Sequence, residues 1–299
     1  MESRTLVICD PEDGYAQALA LYIMRRKGNL FQVQVYDCAR YKSKADILII
    51  SSTYSLEERK QFEAERIFLL TDNMKVLHDE KEILIYKYQS GERILEELDK
   101  HFSNLNRGTD FSRKEKNSNN GKIIGVFSPV HRIGKTTYAL KIGEQLAVKD
   151  NVLYLNLEMY GGIGGHFKSK GETLSDLLYY FRQEKANLGA VISKMILTKG
   201  NLDYIRPVAV SQHVKEVSVE EWMELFQRIL DESIYEAIIV DIDEGVSNVY
   251  ELLRFCTEIH FLTNKTKSSA AKVRQFEAEL GILGYEDILT KLIRRDVSA

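Results

Sequence analysis

Four consecutive residues, Gly134, Lys135, Thr136 and Thr137, are the residue types that bind phosphate in a loop. An apolar run at 123–127 precedes them, and apolar residues at helical spacing follow over 136–147. In a turn between a buried strand and a helix, backbone N–H groups surround a phosphate, while the lysine reaches the β and γ oxygens. The first threonine then binds Mg²⁺. We therefore predict a nucleotide-binding loop here.

A carboxylate is expected beside this loop. Asp241 follows the apolar run 237–240, about a hundred residues downstream, and Gly245 comes four residues later. At the end of such a strand a carboxylate can hold an Mg²⁺-bound water next to Thr136. An aspartate that only ends a strand in a turn is the alternative interpretation.

The loop resembles that of the MinD/ParA group of P-loop ATPases, which reads KGGxGKT. Val130 stands at the group's signature lysine, His131 and Arg132 stand at its paired glycines, and Pro129 replaces the first glycine of the general P-loop motif. Val130 cannot supply the charge that the group's lysine brings across a dimer interface. Arg132 could replace it, although a solvent-facing or phosphate-steering arginine is favoured. The residues expected to contact the nucleotide are Val130, His131, Arg132, Ile133, Gly134, Lys135, Thr136 and Thr137.

The same resemblance implies further site residues. Asn156 and Glu158 match the two acidic positions of the group's first switch, where the second orients the attacking water. Asp241 and Gly245 match its second switch. Lys135, Glu158 and Asp241 are therefore the expected catalytic residues, and Thr136 and Asp241 the expected Mg²⁺ ligands. The glycines at 161, 162, 164 and 165 are expected to form a mobile loop, and they lack the spacing of a dinucleotide-binding fingerprint.

The composition limits the protein's class. The chain has 299 residues, a formal net charge of -3 and three cysteines. This length predicts two α/β domains, and the longest apolar runs are far too short to span a bilayer. An odd number of cysteines without metal-ligand spacing favours a reducing cytoplasm. The nearly neutral charge gives no strong signal for nucleic acid, although a local basic patch stays compatible with it.

A polar segment separates the two predicted domains. Residues 103–120 are rich in Asn, Ser, Gly and charge, which is typical of an exposed linker. Before it, residues 1–102 alternate five short apolar runs with helical stretches, which predicts a parallel sheet covered on both faces. After it, residues 121–299 should form the nucleotide-binding domain, a mostly parallel sheet flanked by helices.

The order of elements in 1–102 resembles a flavodoxin-like receiver domain. Asp10 matches the family's acidic group, Thr71 its hydroxyl residue and Lys87 its lysine, while Tyr88 stands where a proline is usual. Ser51 occupies the position of the phosphate-accepting aspartate, and a serine cannot replace an Mg²⁺-bound carboxylate nucleophile. We therefore expect a pseudo-receiver that binds a partner or its own twin.

The last segment, 288–295, permits two interpretations. Its apolar residues lie beside Lys291, Arg294 and Arg295, as in a membrane-targeting amphipathic helix. Two turns are too few for stable interfacial binding, so a packed or frayed terminus is favoured and membrane association should be weak or indirect. In the resembled group a strand in this region recognises adenine, and this short remainder leaves the base specificity open.

The whole chain resembles the TadZ/CpaE group, in which an atypical receiver precedes a MinD/ParA-like ATPase domain. The resemblance implies a cytoplasmic homodimer, at a cell pole or the inner face of the membrane, that binds ATP with Mg²⁺ and positions Tad-type pilus assembly or secretion proteins. Val130 and Asn156 favour slow hydrolysis or none. One alternative is a non-catalytic scaffold whose site Pro129, His131 and Arg132 have closed. Another is a partition or flagellar-placement ATPase, which would need DNA or membrane binding.

Overall fold

The computed structural model describes residues 4–28, 30–36, 45–72, 75–102, 121–183 and 187–297. The chain divides into two compact units, Met1–Ser118 with Asp231–Ile234, and Asn119–Leu230 with Tyr235–Ala299. The predicted linker, residues 103–120, lies outside the described residues.

The N-terminal unit is built on a five-stranded, all-parallel sheet in the order β2-β1-β3-β4-β5. Its register places Leu6 beside both Val33 and Ile47, so that β1 is covered on each side by a neighbouring strand. This confirms the predicted five-stranded parallel sheet. The strands are β1 (Arg4–Cys9), β2 (Phe31–Val35), β3 (Ala45–Ser51), β4 (Ala64–Thr71) and β5 (Glu82–Tyr86).

Two long helices cover one face of this sheet. Helices α1 (Asp13–Lys27) and α3 (Gly91–Phe102) bury apolar residues against alternate side chains of the strands, among them Leu6, Ile8 and Phe68. On the opposite face, residues such as Val7, Leu48 and Leu69 pack with Phe62. The short helix α2 (Leu56–Arg59) begins with a capping box between Ser55 and Glu58. No helix occurs between β4 and β5 among the residues described there, so the expected alternation of strands and helices is only partly realised.

The C-terminal unit contains a seven-stranded sheet in the order β12-β11-β6-β10-β7-β9-β8. All neighbours are parallel except β8 and β9, which form an antiparallel pair. The predicted mostly parallel sheet is confirmed, although the β8 edge was not foreseen. The strands are β6 (Lys122–Phe127), β7 (Val152–Asn156), β8 (Leu197–Lys199), β9 (Leu202–Tyr204), β10 (Ala237–Asp241), β11 (Glu258–Thr263) and β12 (Leu292–Asp296).

Helices lie on both faces of this second sheet. One face packs on α4 through residues such as Ala139 and Leu140, together with Ile124 and Ile239 of the strands. The other face carries the larger core, which includes Trp222 and Phe226 of α8. The helices are α4 (Lys135–Leu146), α5 (Leu174–Phe181), α6 (Leu188–Met195), α7 (Gln212–Lys215), α8 (Val219–Glu232), α9 (Val249–Phe255) and α10 (Lys267–Leu283).

The end of the chain is a packed strand. A 3₁₀ helix, Glu286–Lys291, buries Ile288, and β12 then pairs in parallel with β11 along five residues. The packed terminus is what the sequence favoured, whereas the amphipathic membrane helix is wrong because these residues complete the edge of the sheet. Among the described helices, none has both the length and the apolar character needed to cross a membrane.

Candidate functional site

The phosphate-loop residues lie between the central strand β6 and helix α4. Strand β6 pairs with β10 on one side and β11 on the other. Gly134 has a φ of 81°, a left-handed conformation that favours glycine, and α4 begins at the next residue without a side-chain cap. The first helical bond joins Tyr138 N–H to the Gly134 carbonyl. The N–H groups of the first turn therefore have no acceptor within the helix and can serve a phosphate.

Arg132 also has a left-handed backbone, with a φ of 55°. This conformation is uncommon outside glycine and costs of order 1–3 kcal/mol. The loop thus keeps a path that suits glycine at a position where the resembled ATPases have one. The arginine side chain is exposed, so this backbone conformation forces no bulky group into a packed core.

A cleft of about 240 Å³ opens above this loop. All eight residues predicted to contact a nucleotide line it, and so do Ser128, Glu158, His166, Asp243 and Glu244. His131 lies 3.0 Å from the Glu244 carboxylate, measured from Nε2 to Oε1. The bulky residues of the loop have therefore not filled the cleft, which weighs against the closed site of the scaffold interpretation.

The Lys135 ammonium is held by acceptors of its own chain. Its Nζ lies 2.9 Å from Glu158 Oε1 and 3.2 Å from Asp241 Oδ1, and it donates to the Ile242 carbonyl oxygen at 2.8 Å. Burial lowers the pKa of Lys135, but the carboxylates of Asp241 and Glu158 outweigh this effect and raise the pKa above its ordinary value. The lysine is therefore charged and already neutralised by its neighbours.

Asp241 lies below the cleft and is fully buried. The Thr136 hydroxyl is 2.7 Å from Asp241 Oδ2 and 2.9 Å from Glu158 Oε2. One hydroxyl has a single hydrogen and can donate to only one of these two oxygens. Burial raises the pKa of Asp241, and the charge of Lys135 offsets part of that rise. Thr136 and the two carboxylates thus form a tight oxygen cluster beside Lys135.

Two residues of β7 support Asp241 from the side. The Tyr154 hydroxyl donates to Asp241 Oδ2 at 3.0 Å, and Asn156 Nδ2 lies 2.9 Å from that hydroxyl and 3.3 Å from Oδ2. Asn156 Oδ1 accepts from the Glu158 backbone N–H at 2.9 Å. The Asn156 amide therefore donates towards Tyr154 and Asp241 and accepts from the Glu158 backbone. An ionised carboxylate at this position could only accept hydrogen bonds.

The arrangement brings every predicted catalytic and metal-binding residue together. Lys135 and Thr136 each contact both Glu158 and Asp241. Sequence reasoning missed Tyr154 and His166. Tyr154 had a signal, since it precedes Asn156 by two residues on one strand and so shares its face. His166 had none, because a single histidine after a glycine-rich segment has no diagnostic spacing.

The donor set fits Mg²⁺ only in combination with phosphate. No group of three or more His, Cys, Asp or Glu side chains in the described part of the chain could hold a metal ion alone. Asp241 Oδ1 is buried and accepts no hydrogen bond of good geometry, although Lys135 lies near it. A hydroxyl, a carboxylate and the oxygens of a bound phosphate are ligands that Mg²⁺ accepts.

The receiver-like residues also meet, in the N-terminal unit. Lys87 Nζ lies 2.9 Å from Asp10 Oδ1 and 3.2 Å from Glu12 Oε1, and it sits 4.6 Å from the centroid of the Tyr15 ring. The Tyr88 hydroxyl donates to Glu12 Oε1 at 3.1 Å. Burial raises the pKa of Asp10, while Lys87 counteracts that rise.

Ser51 and Thr71 end neighbouring strands and are both buried. The Ser51 hydroxyl accepts a hydrogen bond from the Thr53 hydroxyl at 2.9 Å. Ser51 therefore lies at the carboxyl end of β3, the position that the sequence predicted. Strand β3 pairs with β1, which ends at Cys9, directly before Asp10.

No protein-family model matches the chain, and no curated protein does. Solved structures of similar fold include a ParA family ATPase, a plasmid partition protein and the BceF tyrosine kinase domain. One is a ParA family ATPase from Chlorobium tepidum, with a TM-score of 0.47, 17% identity, and coverage of 59% of this chain and 73% of the other.

Two others are more distant. A variant of McdA from Cyanothece in complex with ATP has a TM-score of 0.41 and 14% identity, covering 55% of this chain and 66% of the other. The MinC:MinD cell division complex of Aquifex aeolicus gives a match with a TM-score of 0.38, 16% identity, and coverage of 58% and 68%. At this distance the similarity concerns the fold and assigns no function.

Replacing Asn156 by aspartate should destabilise the C-terminal unit. Asn156→Asp removes the Nδ2 donor and places a second buried carboxylate beside Asp241, so we expect a loss of about 3 kcal/mol in the free energy of unfolding. The loss should be larger at pH 8 than at pH 5.5. Burial and Asp241 raise the pKa of the new carboxyl in the folded state, and stability then falls as the pH rises through that pKa.

Urea denaturation at the two pH values measures this, with the fluorescence of Trp222 as the probe. Trp222 is the only tryptophan of the chain and is fully buried in the C-terminal unit. Asn201→Asp is the matched control because Asn201 is exposed. An equal, small effect of both substitutions would contradict the role given to the Asn156 amide.

Removing the lysine of the N-terminal unit should also be costly. Lys87→Ala leaves Asp10 buried without its cation, and breaking a buried pair in this way costs about 3–5 kcal/mol. The double variant Asp10→Asn with Lys87→Met should recover most of that loss, because position 10 is then neutral and the partly exposed Glu12 keeps its hydrogen bond from Tyr88. Urea denaturation followed by circular dichroism measures both, with the exposed Lys81→Ala as control. A loss below about 1 kcal/mol, or no recovery in the double variant, would show that the pair is not a structural requirement.

Proposed function

We propose that this protein binds ATP with Mg²⁺ in the cleft above residues 130–137. The observation that carries the proposal is the contact of Thr136 with Asp241, at 2.7 Å, directly beside Lys135 at the start of α4. A hydroxyl and a lysine at a helix N-terminus, next to a carboxylate from the neighbouring strand, form the arrangement with which P-loop proteins hold a nucleotide.

Each part of the site has a role in this proposal. The N–H groups at the start of α4 and the Lys135 ammonium bind the β- and γ-phosphates. When bound, Mg²⁺ would be held by Thr136 and Asp241 together with phosphate oxygens, and it would neutralise phosphate charge. Glu158 would orient a water molecule once its carboxylate has left Lys135.

Hydrolysis is expected to be slow or absent. Position 130 is a valine and brings no charge to the phosphates, and Asn156 uses its amide to support Asp241 and the Glu158 backbone. General-base chemistry needs a carboxylate that is free to approach the attacking water, whereas Glu158 is paired with Lys135 at 2.9 Å. These features favour a nucleotide-dependent switch over a rapid ATPase.

The biological role that we propose is that of a TadZ/CpaE-type localisation factor. ATP would stabilise a homodimer, and the dimer would position Tad-type pilus assembly proteins at a cell pole from the cytoplasmic side. Residues 1–102 would act as a pseudo-receiver domain that binds a partner, since a serine stands at the phosphate-accepting position. Residues 121–299 would be the ATPase domain and residues 103–120 the linker between them.

ATP binding depends on Lys135 if this proposal is correct. Isothermal titration of the full chain with ATP and Mg²⁺ should show saturable heat, and Lys135→Ala should weaken the affinity at least about tenfold by removing a charge-assisted contact to phosphate. Lys141→Ala is the matched control, because Lys141 is an exposed lysine of the same helix. Light scattering of the same samples should give a dimer mass only with nucleotide.

An unaltered chain that gives no heat with ATP would reject nucleotide binding and leave a protein-binding scaffold as the function. Binding without a change of mass would reject the dimer switch alone. Circular dichroism of Lys135→Ala establishes that a loss of affinity does not come from unfolding.

Glu158 should compete with the nucleotide for Lys135. Glu158→Gln removes a negative charge from the phosphate side of the cleft and weakens the hold on the ammonium, so ATP affinity should rise about threefold to tenfold. Titration with ATP measures the change. Glu244→Gln is the matched control for the loss of one negative charge, since Glu244 lines the same cleft but contacts His131 and not Lys135, and its gain in affinity should be smaller. An affinity that stays the same or falls in Glu158→Gln would contradict the competition.

A further inference from the structure

The segment after β7 is held in place by its own backbone. Gly164 N–H donates to the Phe167 carbonyl at 2.9 Å, and Gly165 N–H donates to the Gly162 carbonyl at 3.0 Å. Gly162 and Gly164 have φ values of 71° and 87°, which glycine adopts without strain. The glycines that the sequence assigned to a mobile loop therefore form two hydrogen-bonded turns.

Phe167 anchors this segment to the sheet. Its side chain is buried and stacks on the ring of Tyr154, with centroids 5.7 Å apart and an interplanar angle of 22°. The ring of Tyr204 packs against it at 5.5 Å. Aromatic contacts of this kind add to the gain from burial, so Phe167 fixes the position of the residue that precedes it.

Arg206 holds the residues that follow Phe167. Its guanidinium donates to the carbonyl oxygens of Lys168 and Ser169 at 2.8 Å each, and also to that of Gly171. The residue is largely buried. Phe167 and Arg206 thus fix the residues after His166, and the two glycine turns precede it.

His166 is the residue of this segment that lines the cleft. Its imidazole is exposed and makes no hydrogen bond or ion pair with any residue in the described ranges, whereas the other imidazole of the cleft, His131, contacts Glu244. A ring N–H donor is therefore presented, on a fixed backbone, to the space where the phosphates would lie.

The charges of the cleft favour a further donor. Glu158 and Asp241 neutralise Lys135, so the positive charge of Arg132 faces the negative charges of Asp243 and Glu244 in the lining. A polyanion is bound where hydrogen-bond donors and positive charge converge on it, and like charge at close range weakens its binding. Val130 contributes neither a charge nor a side-chain donor.

We propose that His166 binds the phosphate chain of the nucleotide, as a donor supplied by the same chain that carries the loop. The inference rests on the proposed ATP binding and goes beyond it by assigning the contact to a residue outside the P-loop and both switch motifs. The glycine turns, the packing of Phe167 and the hydrogen bonds of Arg206 would then together hold this imidazole at the cleft.

Titration of the full chain with ATP and Mg²⁺ tests the assignment. His166→Phe keeps a ring of similar size without an N–H and should weaken ATP affinity roughly tenfold, which is the effect of losing a hydrogen bond to a charged group. His166→Arg restores a donor and should bind ATP within about threefold of the unaltered chain. His213→Phe is the matched control, because His213 is an exposed histidine of the same unit that contacts Ser175.

The outcomes distinguish the role of His166 from ATP binding itself. If the unaltered chain binds ATP and His166→Phe binds it equally well, the role of His166 is wrong and the proposed function stands. A loss of affinity as large in His166→Arg as in His166→Phe would also overturn it, because a donor would then not be what matters. If the unaltered chain does not bind ATP, both the proposed function and this inference are overturned. Thermal unfolding of each variant shows that the fold is intact.

Discussion

The buried carboxylate of Asp241 is the constraint around which the C-terminal unit is organised. A charge in the interior is stable only with hydrogen bonds and an opposite charge, since its desolvation costs several kcal/mol. Its partners come from two separate elements: Lys135 and Thr136 in the first turn of α4, and Tyr154 and Asn156 of β7. The sheet and the helix must therefore be assembled together before this carboxylate is satisfied. That requirement joins the stability of the unit to the geometry of its cleft.

The register of the sheet explains how these partners meet. Asp241 lies beside Val126 of β6 and beside Asn156 of β7, at the carboxyl ends of three adjacent parallel strands. Tyr154 and Ile239 lie two residues earlier on the face that α4 covers, so Asn156 and Asp241 point to that same face. Helix α4 starts where the loop leaves β6 and sets Thr136 above them. The position of the site thus follows from strand alternation and from parallel pairing.

Much of this could be predicted from the sequence. Continuous apolar runs such as Ile47 to Ile50 indicated buried parallel strands, and the run before Lys135 with the helical spacing after it located the loop. The short edge strand β8 could not be predicted, because three residues carry too little periodicity. The contact of Glu158 with Lys135 was also invisible, since it depends on side-chain reach across the cleft. The path of the glycine segment could not be predicted for a similar reason. It depends on the packing of Phe167 against Tyr154 and Tyr204, which is a tertiary contact.

Both units contain a buried carboxylate that is neutralised by a lysine, but the surroundings of the two lysines differ. Each has an acid at the carboxyl end of a strand paired with a lysine, Asp10 with Lys87 and Asp241 with Lys135. In the N-terminal unit the lysine lies against Tyr15 and Tyr88, and these rings keep it buried. In the C-terminal unit Lys135 borders a cleft instead. A pair covered by aromatic rings is difficult for an anion to reach, whereas a pair at the wall of a cleft can exchange one acid partner for a phosphate. This difference is why we assign a structural role to the first pair and ligand binding to the second.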